Sequence, residues 1–334
     1  MVSADRKMNG ALSVVTEFDL AGIVEDAGYR DGGIIAIAVV NGDGLISRYE
    51  RGVLTDGLPM TCDTLVYGAS LTKQIVAMCA ARLVQAGLID PTSSITTWLP
   101  GLVGLADDVQ FRHLVHHTAG FPDEATLVDR MGDEGGMLRT SEGMLAALAS
   151  FRSLDRAPGD SFDYSNIGYV CLGRIVELVS GTALAEHVDE IVFRPLGMGR
   201  TRLWSGPGVR PEGGSTLDPD SPVPLSLGDG GMWTTANDLA RWIRAMNADT
   251  FGVRDLMMIP GALNDESALD YAWAVRVTDR GGVNVCSHGG GWPGSISRMA
   301  WIPERTSGFI AFTVDGGPPL ENLFATLLAT LTSS

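Results

Sequence analysis

Ser70-Leu71-Thr72-Lys73 places a hydroxyl and an amine three residues apart at the start of an apolar segment. On a helix, positions i and i+3 share a face, so the two groups come within reach of each other. A serine hydroxyl becomes a useful nucleophile when a neighbouring base takes its proton. A lysine can be that base once burial disfavours its ammonium form. The start of a helix adds a positive field and free backbone N–H groups, both suited to a developing oxyanion. Composition sharpens the reading: of 24 basic residues 22 are arginine, and the lysines are Lys7 and Lys73. A chain that uses arginine nearly everywhere, yet keeps lysine inside an apolar helix, needs an amine that can lose its proton. The bland alternative is a helix cap beside a solvated lysine.

Two further groupings could complete such a site. Tyr164-Ser165-Asn166 lies just before an expected helix. Ser165 suits an N-cap, but capping does not call for a tyrosine at 164. A phenol beside an ammonium can act as general base or proton relay, and the Asn166 amide can bind both the lysine and a substrate carbonyl. His288-Gly289-Gly290-Gly291-Trp292 ends an expected strand. Its glycines, Gly290 and Gly291 among them, allow a ligand close to the strand edge, and the Gly291 N–H could supply half of an oxyanion hole. A glycine-rich turn with a capping histidine is the alternative there. Trp233 and Trp292 are expected in the pocket walls.

The elements that must position these residues follow from periodicity and turn chemistry. An opening helix is expected over 14–28, then strands Ile34 to Val40 and Gly44 to Arg51 joined by the turn Asn41-Gly42-Asp43, a strong hairpin signal. The segment from about Ser70 to Ala86 is apolar nearly all round, which predicts a buried helix ended by Gly87. Helices are expected at 142–151, 166–180, 182–193 and 235–247, with a long irregular connection over 205–224. Strand signals return at Tyr271 to Thr278, Val283 to His288, Ile296 to Ile302 and Gly308 to Val314, before a closing helix at 319–332. Strands at both ends with helices between them predict an α/β (α+β) fold, an antiparallel sheet flanked by helices with an inserted all-helical subdomain. The expected division is 1–87 with 225–334 as the sheet domain and 88–224 as the helical subdomain, with the active site between them.

A hydrophobic content of 45% with 19% charged residues suits a globular enzyme. A formal charge of −16 excludes nucleic acid as partner, since phosphate binding requires a basic surface. No apolar run reaches the ~20 residues that span a bilayer, so no membrane partner is expected. The N-terminus lacks an apolar segment behind a basic start, which predicts no secretory signal and a cytoplasmic setting. Cys62, Cys79, Cys171 and Cys286 show no metal-ligand spacing and read as reduced, partly buried thiols. No cofactor and no metal are expected.

Together the three groupings resemble the serine β-lactamase and penicillin-binding-protein superfamily, whose signature is S-x-x-K with companion S-D-N and K-T-G motifs. Here the companions are Tyr164-x-Asn166 and His288-Gly289-Gly290. That combination resembles the branch of class C β-lactamases, D-alanyl-D-alanine carboxypeptidases and family VIII esterases. Phe111 to Pro122, Arg194 to Met198 and Gly230 to Leu239 resemble recurrent segments of the same branch. The resemblance implies a β-lactamase/transpeptidase-like fold, Ser70 as nucleophile, Lys73 as its activator and Tyr164 as proton shuttle to the leaving group. It further implies that Asn166 orients Lys73 and substrate, and that the N–H groups of Ser70 and Gly291 form the oxyanion hole. His288 stands where β-lactamases carry a lysine facing the substrate carboxylate. A side chain largely neutral near pH 7 favours an esterase, amidase or transacylase over a dedicated β-lactamase. In this branch His113, His116 and His117 belong to a structural turn.

The expected function is therefore acyl transfer from an ester or amide of a small molecule or short peptide through an acyl-enzyme on Ser70. Alternatives are a transacylase with an amine or alcohol acceptor, a D-amino-acid-specific peptidase or weak β-lactamase, and a catalytically silent ligand-binding relative.

Overall fold

The computed structural model describes residues 19–29, 33–131, 140–206, 209–215, 221, 223–314 and 320–333. The chain opens with helix α1 (Leu20–Asp26) and the hairpin of β1 (Ile34–Val40) and β2 (Ile46–Arg51). Asn41 shapes the turn: its Oδ1 accepts from the N–H groups of Asp43 and Leu45. A short strand β3 (Val66–Tyr67) leads through a 3-10 turn, Ala69–Leu71, into α2 (Thr72–Gln85). Then come α3 (Phe111–Val115), α4 (Glu124–Met131), α5 (Ser141–Ala149), α6 (Asn166–Ser180), α7 (Leu184–Val188), β4 (Arg202–Leu203) and β5 (Met232–Thr234). The last part comprises α8 (Ala236–Asn247), α9 (Arg254–Met257), β6 (Arg276–Asp279), β7 (Asn284–Trp292), β8 (Ser295–Ile302), β9 (Ser307–Val314) and α10 (Glu321–Ser333).

Both ends of the chain build one antiparallel sheet, ordered β2-β1-β9-β8-β7-β6. β1 is apolar throughout because both of its faces are covered. Ile35, Ile37 and Val39 face one apolar layer with Leu323 and Leu327 of α10. Ala36, Ala38 and Val40 face the larger core with Ile243 of α8, and α8 rests on β1 and β9. That larger core continues through α2 into α5 and α6 without a gap. The fold is thus a mixed α/β architecture with an antiparallel sheet flanked by helices.

α2 runs through the middle, as its all-round apolar sequence requires, and Gly87 ends it at φ +71°. Its one buried amide, Gln74, accepts from the indole N–H groups of Trp242 and Trp301. All four cysteines are free and fully buried, and burial pushes the Cys62, Cys79 and Cys171 thiols up to about 12.

Three expectations change, and one small sheet is new. The opening helix begins at Leu20, and residues 14–18 lie outside the described residues. The helix expected over 182–193 is α7 followed by a π-helical turn, Asp189–Phe193. The strand expected from Tyr271 shortens to β6: Ala272 N–H donates to Val275 O and Ala274 sits at φ +58°, so the chain reverses inside that apolar run. The small sheet β3-β5-β4 had no periodic signal, being built from strands of two or three residues. No single helix among the described residues is long and apolar enough to cross a membrane.

Candidate active site

The small sheet seats Ser70. β3 pairs with β5, and Gly68 N–H donates to Met232 O at 2.8 Å. Ala69 follows at φ +46°, a left-handed conformation that costs a non-glycine residue about 1–2 kcal/mol. Thr72 holds this turn from within α2, its Oγ1 donating to Ala69 O at 2.6 Å and accepting from Met232 N–H at 3.2 Å. The strained turn delivers Ser70, partly exposed, to the start of α2 and the edge of two cavities.

Lys73 is fully buried, with its Nζ 3.0 Å from Ser70 Oγ, 2.9 Å from Asn166 Oδ1 and 2.7 Å from Asp229 O. The Asn166 amide is oriented by chemistry: its Nδ2 donates to the Glu124 carboxylate at 2.8 Å, so its oxygen faces Lys73. Asn166 Oδ1 and the Asp229 carbonyl can only accept, so Nζ donates to both whatever its charge. The contact with Ser70 Oγ can run either way. An ammonium donates to the hydroxyl oxygen, and a neutral amine accepts the hydroxyl proton, with no heavy atom displaced.

Tyr164 places its ring under the amine, with Nζ 5.0 Å from the ring centroid, and Tyr169 adds a second ring at 5.7 Å. Tyr164 is 46% exposed, and among the described residues no hydrogen bond joins its hydroxyl to Ser70 or Lys73. The phenol stands at the cavity mouth, beside the pair and not bonded into it. Asn166 opens α6, where Ser165 caps the helix by accepting from Gly168 N–H at 3.1 Å.

β7 forms the third wall. Gly290 must be glycine, since a Cβ there would collide with Gly68 O. Gly291 faces open space and lines both cavities with Ser70. Trp292 lines the smaller cavity, edge-on to Tyr67 at 6.2 Å. Trp233 corrects its expected place in the wall. It is fully buried in β5, packed on Tyr67 at 5.5 Å and beneath Ala69, so it forms the floor under Ser70 and lines neither cavity. His288 bonds to Tyr271 and to Gly289 O, and burial pushes its imidazole down to about 3.

The larger cavity, about 500 Å3, is lined by Ser70, Tyr164, Tyr271, His288, Arg276 and Arg298. The smaller, about 190 Å3, holds two carboxyl groups, Glu124 and Asp229. Asp229 Oδ1 is buried without a partner, and burial raises this carboxyl above the usual range against the opposing pull of Lys73. Sequence reasoning missed Glu124, Asp229 and Tyr271 as site residues, and read His117 as part of a turn alone. The Gly230-Gly231 segment was noted one residue too late to include Asp229. Among the described residues no group of His, Cys, Asp or Glu is arranged to hold a metal ion.

The family model described as Beta-lactamase matches residues 24–332. Penicillin-binding protein 4* of Bacillus subtilis (strain 168) is 28% identical over 280 residues, covering 75% of this chain and 61% of that protein. Esterase EstB of Burkholderia gladioli is 36% identical over 181 residues, 50% of this chain and 45% of its own. The D-aminopeptidase of Brucella anthropi is 26% identical over 305 residues, 86% of this chain and 56% of its own. The matches thus span less than two thirds of each relative's length. Among solved structures, the octameric penicillin-binding protein homologue from Pyrococcus abyssi superposes with a TM-score of 0.77 at 23% identity, over 95% of this chain and 78% of that one. The D-amino acid amidase from Ochrobactrum anthropi SV3 complexed with D-phenylalanine gives 0.74 at 22%, over 94% and 98%. These two establish the fold.

Proposed function

Given that the chain belongs to the Beta-lactamase family, we propose that it is a serine hydrolase that cleaves an ester or amide of a small molecule or short peptide through an acyl-enzyme on Ser70. The observation that carries this reading is the buried Lys73 Nζ at 3.0 Å from Ser70 Oγ, held by two acceptors that leave its third position for the hydroxyl.

Ser70 Oγ attacks the substrate carbonyl carbon as its proton passes to Lys73 Nζ. The carbonyl oxygen becomes an oxyanion and takes hydrogen bonds from the N–H groups of Ser70 and Gly291. The bond to the leaving group breaks, and the departing nitrogen or oxygen takes a proton from the Tyr164 hydroxyl, which regains one from Lys73. A water molecule then attacks the ester carbonyl of the acyl-enzyme as Lys73 Nζ takes one of its protons; the bond to Ser70 Oγ breaks, and Lys73 returns that proton to the serine oxygen. An amine or alcohol in place of that water gives acyl transfer from the same intermediate.

The test is Ser70→Ala with a short-chain p-nitrophenyl ester. Turnover falls by about a thousandfold or more, in line with loss of a nucleophile acting in concert with its base, and intact-mass analysis finds a fluorophosphonate adduct on wild type alone. Equal turnover by the variant would overturn the reading.

A second reading concerns the acyl donor. Glu124 and the partnerless Asp229 Oδ1 line the small cavity beside Ser70, which suits a protonated amine on the acyl side. A D-amino acid amide or D-amino-acid peptide carries such a group. The D-amide is then preferred over its des-amino analogue by about tenfold or more in kcat/KM, and Glu124→Gln shrinks that ratio. Equal rates for the two amides would remove it.

A further inference from the structure

Behind the Ser70–Lys73 pair, two imidazoles and a phenol form one unbroken hydrogen-bond chain, and the chemistry of its ends fixes its direction. At one end, Ser165 N–H donates to His117 Nδ1 at 3.0 Å. A backbone amide cannot accept, so Nδ1 carries a lone pair and the ring proton lies on Nε2. His117 Nε2 is 3.2 Å from the Tyr271 hydroxyl, which therefore accepts. The hydrogen of Tyr271 has two acceptors in reach, the Tyr169 oxygen and His288 Nε2, the latter 3.0 Å away. The far end decides between them: Gly289 O can only accept, so His288 Nδ1 carries the ring proton and donates to it at 2.6 Å, which leaves Nε2 as the acceptor for Tyr271.

The surroundings oppose any added proton. Lys73 from α2, Arg276 from β6 and Arg298 from β8 face His288, together with the phenols of Tyr164 and Tyr271. Lys73, His288, His116 and Arg276 act on His117, whose ring packs against those of Tyr164 at 4.3 Å, Tyr169 at 4.9 Å and Tyr271 at 4.9 Å. Tyr169 spends its own hydrogen on Val115 O. Burial and these cations hold the His117 imidazole far below its ordinary range.

We propose that His117 and Tyr271 are positioning residues that hold His288 as a neutral imidazole protonated on Nδ1, making the third wall of the site an uncharged brace for the Gly289 carbonyl. Both nitrogens of His288 are occupied, so the ring has no N–H left for a ligand. The brace acts on β7 two residues before Gly291, whose N–H the proposed function sets against the developing oxyanion, and on that reading it steadies the donor through the strand. The same chain supports the phenol, because the His117 ring stacks at 33° beneath Tyr164.

The experiment is a long-range 1H–15N correlation of the full chain labelled with 15N-histidine, recorded from pH 5 to 8. His117 shows the Nε2–H pattern and His288 the Nδ1–H pattern, and neither shifts with pH. An Nε2–H pattern for His288, or titration of either ring in that window, overturns the proposal. Tyr271→Phe removes the relay hydroxyl with little change of shape. In that variant His288 turns to a mixture of tautomers, and kcat for the p-nitrophenyl ester falls about tenfold with KM little changed, the effect of a loosened oxyanion donor. An unchanged His288 signature, or unchanged kcat beside an altered signature, also overturns it. If this variant fails to fold, the wild-type spectrum still decides. The kinetic arm rests on acylation of Ser70 and the spectroscopic arm does not, so failure of the hydrolase reading leaves the tautomer assignment standing on its own measurement.

Discussion

Lys73 Nζ sits among three oxygens, and two of them can only accept. Charge alone would be served as well by arginine, but a guanidinium is planar and keeps its proton at any pH a protein meets. Lys73→Arg therefore keeps the positive charge and loses the base. Turnover of an activated ester falls by about a hundredfold or more, the range ascribed to a positioned general base. A variant retaining a tenth of wild-type kcat would remove Lys73 from that role. Ser70 and Lys73 could be read from sequence because the helix dictates their spacing, and Asn166 because it stands with Tyr164 in a companion grouping. Asp229 could not, since it meets Lys73 through a backbone carbonyl, which leaves no trace in residue type. The Tyr271 relay was equally hidden, for its partner His117 lies 154 residues away. Trp233 was misplaced because a tryptophan beside a glycine pair looks the same in sequence as floor or as wall.

Between elements, the close crossing of α6 and the 227–229 loop decides whether that carbonyl reaches the amine. Gly173 in α6 has room for no more than its hydrogen: a Cβ would lie 3.0 Å from Leu184 Cδ2 and 3.2 Å from Gly228 Cα. Gly228 adopts φ +113°, and a Cβ there would strike Tyr169 O. Gly228→Ala thus combines backbone strain with a clash against backbone, a cost of about 3 kcal/mol. It also pushes Asp229 away from Lys73. Its Tm falls and kcat falls with it. Gly87→Ala is the control: φ is +71° but nothing lies within 4 Å, so stability drops by about 1 kcal/mol with kcat intact. Should both variants lose kcat in proportion to Tm, the crossing has no special part in placing Asp229. Sequence revealed the long elements, since β1, β8, β9, α2 and α6 carry full periods of pattern. It failed on β3, β4 and β5, because two or three residues hold no period, and these strands seat Ser70.

At the scale of the whole molecule, the site's histidines tie stability to pH. His113 and His116 are pushed down to about 4 and His288 to about 3, each mainly by burial, and His117 lies well below its ordinary value for the same reason. In the unfolded chain these rings take protons near 6.5. Between that value and about 4 the unfolded state binds protons that the native state refuses, so stability is full above pH 6.5 and drains away as pH falls. The slope approaches about 1.4 kcal/mol per pH unit for each such ring. Asp229 works the other way, since its raised carboxyl takes a proton earlier in the native state, but it is one group against five, because burial lowers His187 as well. The formal charge of −16 also eases on acidification, yet that repulsion is spread over the surface and screened by salt. The histidines therefore win. Urea midpoints measured in 0.15 M salt stay level from pH 8 to 7 and fall steadily from 6.5 to 4.5, and His113→Gln reduces the slope by about one proton. A midpoint unchanged down to pH 4.5 would mean that the native state admits these protons freely, with the rings open to water and the packing around the site looser than the structure has it.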